Sequence, residues 1–141
     1  MSSKLSVCIH ILTVLALKRG EALTSEQIAC SVNTNPVVIR RLLGLLRKAG
    51  YVDSKKGVGG GWELLADPKE ITFLDVLRVV EPQNEIFALH KCKPNQQCPV
   101  GRNIQGVLIR IYAEIQEGVA KRLARSTVAS VVTALGDCAE C

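Results

Sequence analysis

Three sets of residues in this sequence are spaced to do chemistry. The first is a stripe of Val37, Arg40, Arg41, Gly44 and Lys48, which helical periodicity would place on one face. A guanidinium there can fork onto a guanine edge or clamp a phosphate, and a valine can touch a thymine methyl. The second is Gly57-Val58-Gly59-Gly60-Gly61, preceded by Lys55 and Lys56. Such a tip can approach an anionic backbone closely and lend it amide N–H groups. It is a poor nucleotide-binding loop, because its glycines open no helix and no Lys-Ser/Thr pair follows. The third set is the thiols Cys92 and Cys98. Cys98 stands before Pro99 at a helix start, where amide dipoles favour a thiolate, and Lys91 and Lys93 share its loop. A reactive Cys98 with Cys92 as its resolving partner is one reading, and two idle exposed thiols is the other.

The elements that must carry these groups follow from caps and periodicity. Lys4–Arg19 is apolar on nearly every side and reads as a buried helix stopped by Gly20. Thr24-Ser25-Glu26-Gln27 has capping-box spacing and opens a short helix from Ser25 to Ser31. After the turn Val32-Asn33-Thr34, Asn35 caps and Pro36 begins a helix read from Val37 to Ala49 and ended by Gly50. Its inward residues are Ile39, Leu42, Leu43 and Leu46, opposite the cationic stripe. On an isolated helix that stripe would be only a solvated face. A second helix after a short capped turn is a helix–turn–helix, and this changes the balance.

Tyr51–Lys56 and Trp62–Ala66 read as two strands around the glycine tip, and Asp67-Pro68 closes them. Helix–turn–helix plus basic hairpin is a winged helix. Thr72 then caps a helix to about Glu81, and residues 82–98 form a loop without period. From Pro99 a long helix carries Ile104, Leu108, Ile111, Ile115 and Val119 at steps of four and three. An apolar stripe this long needs a cover, and a second copy of the chain is the simplest one. The alternative is that the helix folds back onto its own domain. Ser126–Leu135 reads as a last short helix. The expected class is mainly α with a small β-hairpin wing. Residues 1–81 form the winged domain, 82–98 the cysteine loop, 99–125 a dimerisation helix and 126–141 a C-terminal helix and tail.

Composition agrees. The 141 residues are 48% hydrophobic with net charge +5, ordinary for a folded domain. Residues 1–66 hold nine Lys/Arg against four Asp/Glu, leaving nine of each in residues 67–141, so the whole excess lies in the first part. A basic half beside a neutral half suits a polyanion partner for one and another task for the other. The apolar run Val7–Leu17 is broken by His10 and Thr13 and lacks a cleavage site after it, so a cytoplasmic protein without membrane contact is expected. His10 and His90 have no Ser/His/Asp or paired-carboxylate company, so no enzyme is expected. Cys8 and Cys30 are read as small core residues. Cys138-x-x-Cys141 with His90 and Cys92 is too weak a pattern for zinc, and no metal site is assigned.

Taken together, Asn35–Leu43, Leu46–Val52, the wing Lys56–Trp62 and the Asp67–Glu81 segment resemble the Rrf2 family of winged-helix repressors over nearly the whole chain. The resemblance implies a homodimer on a roughly palindromic double-stranded operator, recognition helices in the major groove and wing tips in the minor groove. It implies no catalysis. The residues expected to meet DNA are Asn35, Val37, Val38, Arg40, Arg41, Lys48, Lys55, Lys56, Gly57, Gly59, Gly60 and Gly61. Family wings often carry arginine where this chain has Lys56, a point charge that suits a narrow groove less well. Iron–sulfur members use three cysteines with five residues between successive ones. Here Cys92 and Cys98 keep that spacing but the third slot is Ile104, so no cofactor is expected. Other readings are a cluster sensor of the same family, or an interaction or metal-handling module that keeps the fold without binding DNA.

Overall fold

The computed structural model describes residues 2–83 and 85–136. Cys138 and Cys141 of the weak zinc pattern lie outside them. The chain runs α1 (Lys4–Leu17), α2 (Ser25–Val32), α3 (Pro36–Lys48), β1 (Val52–Lys55), β2 (Gly61–Leu64), a short 3₁₀ helix (Pro68–Glu70), α4 (Phe73–Val80), α5 (Pro99–Leu123) and α6 (Val128–Leu135). Among the described residues, no helix is long and apolar enough to cross a membrane.

The core is built around α1, whose Cys8, Ile11, Leu12 and Leu15 are fully enclosed. Against them pack Ile28 of α2, Ile39, Leu43 and Leu46 of α3, Val52 of β1, and Val76 of α4. Each of these Val, Leu and Ile side chains contributes on the order of 1.5–3 kcal/mol by leaving water. The helix ends at Leu17, not Arg19, because the Lys18 amide already closes the last turn onto Val14 and Gly20 turns the chain at φ +95°. Cys30 departs from expectation more sharply. Ile28 and Ala29 occupy the inward positions of α2, and the next residue is rotated out to solvent, so Cys30 is exposed and not core.

The hairpin is antiparallel, with Val52 opposite Leu64 and Lys55 opposite Gly61. Its strands are shorter than the expected Tyr51–Lys56 and Trp62–Ala66. Leu65 and Ala66 both turn their amides onto the Tyr51 carbonyl, closing the base of the hairpin, and the tip already turns at Gly57.

Helix α6 completes this same unit. The Phe73 amide donates to the Ser126 carbonyl at 2.8 Å and the Val128 amide to that of Ile71 at 3.0 Å, tying the start of α6 to the start of α4. Val128 is thereby buried beneath α1. Helix α5 is a 25-residue excursion between those tied ends, and none of its residues is buried. Tyr112 stacks on Phe87 of the preceding loop, with ring centroids 4.8 Å apart. Ile104 and Leu108 are half-buried, whereas Ile111, Ile115 and Val119 are exposed.

Candidate nucleic-acid interface

Local chemistry sets the angle between α2 and α3. Thr24 Oγ1 accepts from the Gln27 amide at 3.1 Å while Gln27 Oε1 accepts from the Thr24 amide at 2.9 Å, so the start of α2 is closed in both directions. Asn33 then adopts φ +62°, a left-handed conformation that asparagine tolerates, and reverses the chain. Asn35 Oδ1 accepts from the Val37 amide at 2.9 Å and Pro36 fills the first helical position. Helix α3 is thus fixed at its start and anchored along its length by Ile39, Leu42, Leu43 and Leu46.

Its other face is open. Val37 is 53% and Val38 38% exposed, and Arg40, Arg41 and Lys48 all reach solvent. Asn35 is exposed too, although its side-chain oxygen is already engaged as a cap. Arg40 Nη2 donates to Glu26 Oε1 of α2 at 2.8 Å. The Glu26 carboxyl is held below its usual range by its own backbone amide and then by that guanidinium. Among the described residues, Arg41 and Lys48 have no carboxylate partner.

The wing follows directly from the end of α3, with the Tyr51 amide on the Leu46 carbonyl at 3.1 Å. Gly57 and Gly59 take φ +93° and +74°, and the Gly60 amide returns to the Gly57 carbonyl at 3.0 Å, which folds the tip tightly. Val58 stands wholly in solvent at its apex. Gly61 is glycine for a different reason: a side chain there would strike the Leu23 backbone, which pairs with Trp62 in both directions. Of the two wing lysines, Lys55 Nζ sits 3.1 Å from Glu63 Oε1 across the hairpin, so Lys56 carries the uncommitted charge.

Two links escaped the sequence reading. Glu26 is legible only as a residue inside a capping box, and nothing in its spacing announces that it will meet Arg40. Arg47 falls outside the cationic stripe, yet it joins α3 to the hairpin through Ser54 and Trp62. Charge on α3 together with the lone tryptophan of the hairpin was the available signal.

Comparison with known proteins places the whole arrangement. The Rrf2 family, described as iron-dependent transcriptional regulators, matches residues 1–134. The regulator YwnA of Bacillus subtilis (strain 168), named as an HTH-type transcriptional regulator, is 42% identical over 135 residues, spanning 96% of this chain and 98% of YwnA. The chain belongs to the Rrf2 family. Its relatives are transcriptional regulators and not enzymes, and so is this chain. Among solved structures, CymR of Bacillus subtilis, described as the global cysteine regulator, superposes with a TM-score of 0.67 at 25% identity, covering 94% of this chain and 95% of CymR. A transcriptional regulator from Lactobacillus plantarum superposes with a TM-score of 0.82 at 24% identity over 97% of this chain and 92% of its own, which speaks for the fold.

The family description raises the question of iron. In this Rrf2 protein Cys92 and Cys98 are exposed, and Cys98 is the N-cap of α5, with its amide on the Asn95 carbonyl at 3.3 Å. The third family position is Ile104, an alkyl side chain that cannot ligate. Among the described residues no group of three or more His, Cys, Asp or Glu is placed to hold a metal ion. The described donor set therefore does not fit a three-thiolate cluster.

Proposed function

We propose that this Rrf2 regulator is a homodimeric repressor that binds a roughly palindromic duplex and responds to thiol oxidation. The observation that carries the DNA reading is the division of α3: one side is sealed into the core while Val37, Val38, Arg40, Arg41 and Lys48 face outward, on a helix that Arg47 ties to the hairpin. Inserted in a major groove, that face presents two guanidiniums and two apolar contacts to base edges, and Lys48 to phosphate. The folded tip brings Lys56 and the amides of Gly57, Gly59, Gly60 and Gly61 toward the neighbouring minor groove or its phosphates. Lys55 contributes less, because Glu63 already neutralises it.

Pairing rests on α5, a helix without a buried residue whose Ile104, Leu108, Ile111, Ile115 and Val119 share one side. Two such sides packed together bury one another and set the distance between the two recognition helices. A dimer seated on promoter DNA in the cytoplasm represses by occupying it. Cys98 lies at the start of the same helix. Oxidation of its thiolate by a peroxide gives the sulfenic acid and hydroxide, and attack by the Cys92 thiol then forms a disulfide and releases water. That bridge constrains the loop feeding the dimer helix.

The test is a mobility-shift assay with the gene's own upstream region, using reduced and peroxide-treated protein in parallel. Arg40→Ala with Arg41→Ala abolishes the shift. Unaltered binding by that double variant overturns the DNA reading, and an unmodified Cys92–Cys98 pair after peroxide overturns the redox reading alone.

A further inference from the structure

The one ion pair that joins the two helices of the helix–turn–helix is Glu26 to Arg40, at 2.8 Å. We propose that Glu26 is a positioning residue for sequence selectivity: it holds Arg40 toward base edges and opposes its capture by phosphate. This rests on the DNA-binding reading above and adds a residue to it that makes no favourable contact with DNA itself.

The pair is poorly explained as a stabilising device. Its two side chains are 51% and 65% exposed, and exposed pairs of this kind add little to folding. Its location is more informative. Glu26 lies in the first turn of α2, and in a helix–turn–helix the first helix crosses the DNA backbone. A helix start is ordinarily attractive to phosphate, because its amides and dipole point outward there. Here Glu26 sits in that first turn and places a negative charge at the helix start, 2.8 Å from the Arg40 guanidinium. Phosphate approaching α2 meets repulsion unless Arg40 stays between the two.

Arg40 is in turn constrained. A guanidinium has five N–H donors in a fixed fork, and committing Nη2 to Glu26 restricts the swing of the group while leaving the Nη1 and Nε donors free. Both backbones are held by caps, Thr24–Gln27 for α2 and Asn35 for α3, so the pair has little freedom to drift. On an arbitrary sequence, an unrestrained arginine would turn to the nearest phosphate and bind. With Glu26 in place, that turn strands a carboxylate beside the duplex. Indifferent binding is weakened, while a correctly placed guanine still receives the oriented fork.

The experiment uses the full-length protein and a duplex enriched by the wild type from a random pool, with a scrambled duplex of equal length for comparison. Glu26→Gln removes the charge at nearly constant shape, and Glu26→Ala serves as a second variant. Both should bind the scrambled duplex roughly tenfold more tightly, with a salt dependence on that duplex steeper by about one phosphate contact. Affinity for the enriched duplex should change much less, so the ratio between the two collapses, and thermal unfolding should stay near that of the wild type. In an Arg40→Ala background the same Glu26 substitutions should no longer steepen the salt dependence. Unchanged ratio and salt slope in both Glu26 variants overturn the inference alone, as does a steeper salt slope that persists without Arg40. A wild type that enriches no sequence overturns the DNA reading as well.

Discussion

The Arg47 guanidinium carbon lies 6.0 Å from the centre of the Trp62 ring, and its Nη1 donates to Ser54 Oγ at 3.3 Å. Ser54 and Trp62 face each other across the hairpin, so one side chain of α3 holds both strands of the wing. Replacing Arg47 with methionine keeps most of the stem and loses the cation and the hydrogen bond. It should lower stability by about 0.5–1 kcal/mol, the range for an exposed cation–π contact. Trp62 is the only tryptophan, so its emission reports the change directly in a urea titration. Operator affinity should fall more than this loss implies, because helix and wing no longer share one fixed geometry.

The wing glycines are not equivalent. At Gly59 an added Cβ meets nothing within 4 Å, and only the backbone at φ +74° resists it. Gly59→Ala should therefore lower unfolding free energy by about 1–2 kcal/mol. At Gly61, with φ +150°, the added carbon lies 2.6 Å from the Leu23 carbonyl oxygen. Gly61→Ala should be clearly the more damaging of the two in denaturant unfolding, since it must break the Leu23–Trp62 pairing.

Charging the α5 stripe should separate assembly from folding. Ile111 and Ile115 are 44% and 43% exposed in the single chain, so glutamate at both positions removes little from its core. Sedimentation should give half the wild-type mass while circular dichroism retains the helices of the winged unit. Operator binding should weaken with it, because two half-sites are no longer engaged together.

The thiols should sort by burial. The Cys8 thiol is pushed up to about 12 by desolvation, against which Lys4 acts weakly. Iodoacetamide near neutral pH should label Cys30, Cys92 and Cys98 in the native protein and spare Cys8, as read by peptide mass spectrometry. The sign of the linkage is definite. A denatured chain releases the Cys8 proton from about pH 9.0 upward while the folded chain keeps it until about 12, so stability contributed by the neutral thiol declines across that interval.

What was legible in the sequence is what neighbouring residues decide. Thr24 with Gln27, Asn35 with Pro36, and Thr72 with Asp75 each cap a helix start, and all three form as their spacing implies. The two faces of α3 were also readable, because a stripe of four apolar residues leaves its cations only one side. The wing glycines announced a turn, though not that Gly61 is required by Leu23, far away in sequence. Distance along the chain is the common cause of the rest. The return of α6 to α1 depends on Ile71 and Phe73 meeting Ser126 and Val128, contacts with no periodic signature. The capping box at Thr127 uses Ser130 where glutamate or glutamine would have been conspicuous. The pairs Glu26–Arg40 and Arg47–Trp62 arise only once helices and hairpin are assembled, and an exposed Cys30 cannot be told from a buried one by type.

The tie between Thr72 and Thr127 gives the molecule a mechanical asymmetry. Helix α5 leaves that tie and extends about 37 Å, at 1.5 Å for each of its 25 residues, with Cys98 at the remote tip. Under the redox reading, a change at Cys98 has that whole helix between it and the winged unit, with the Phe87–Tyr112 stack as a second footing along the way.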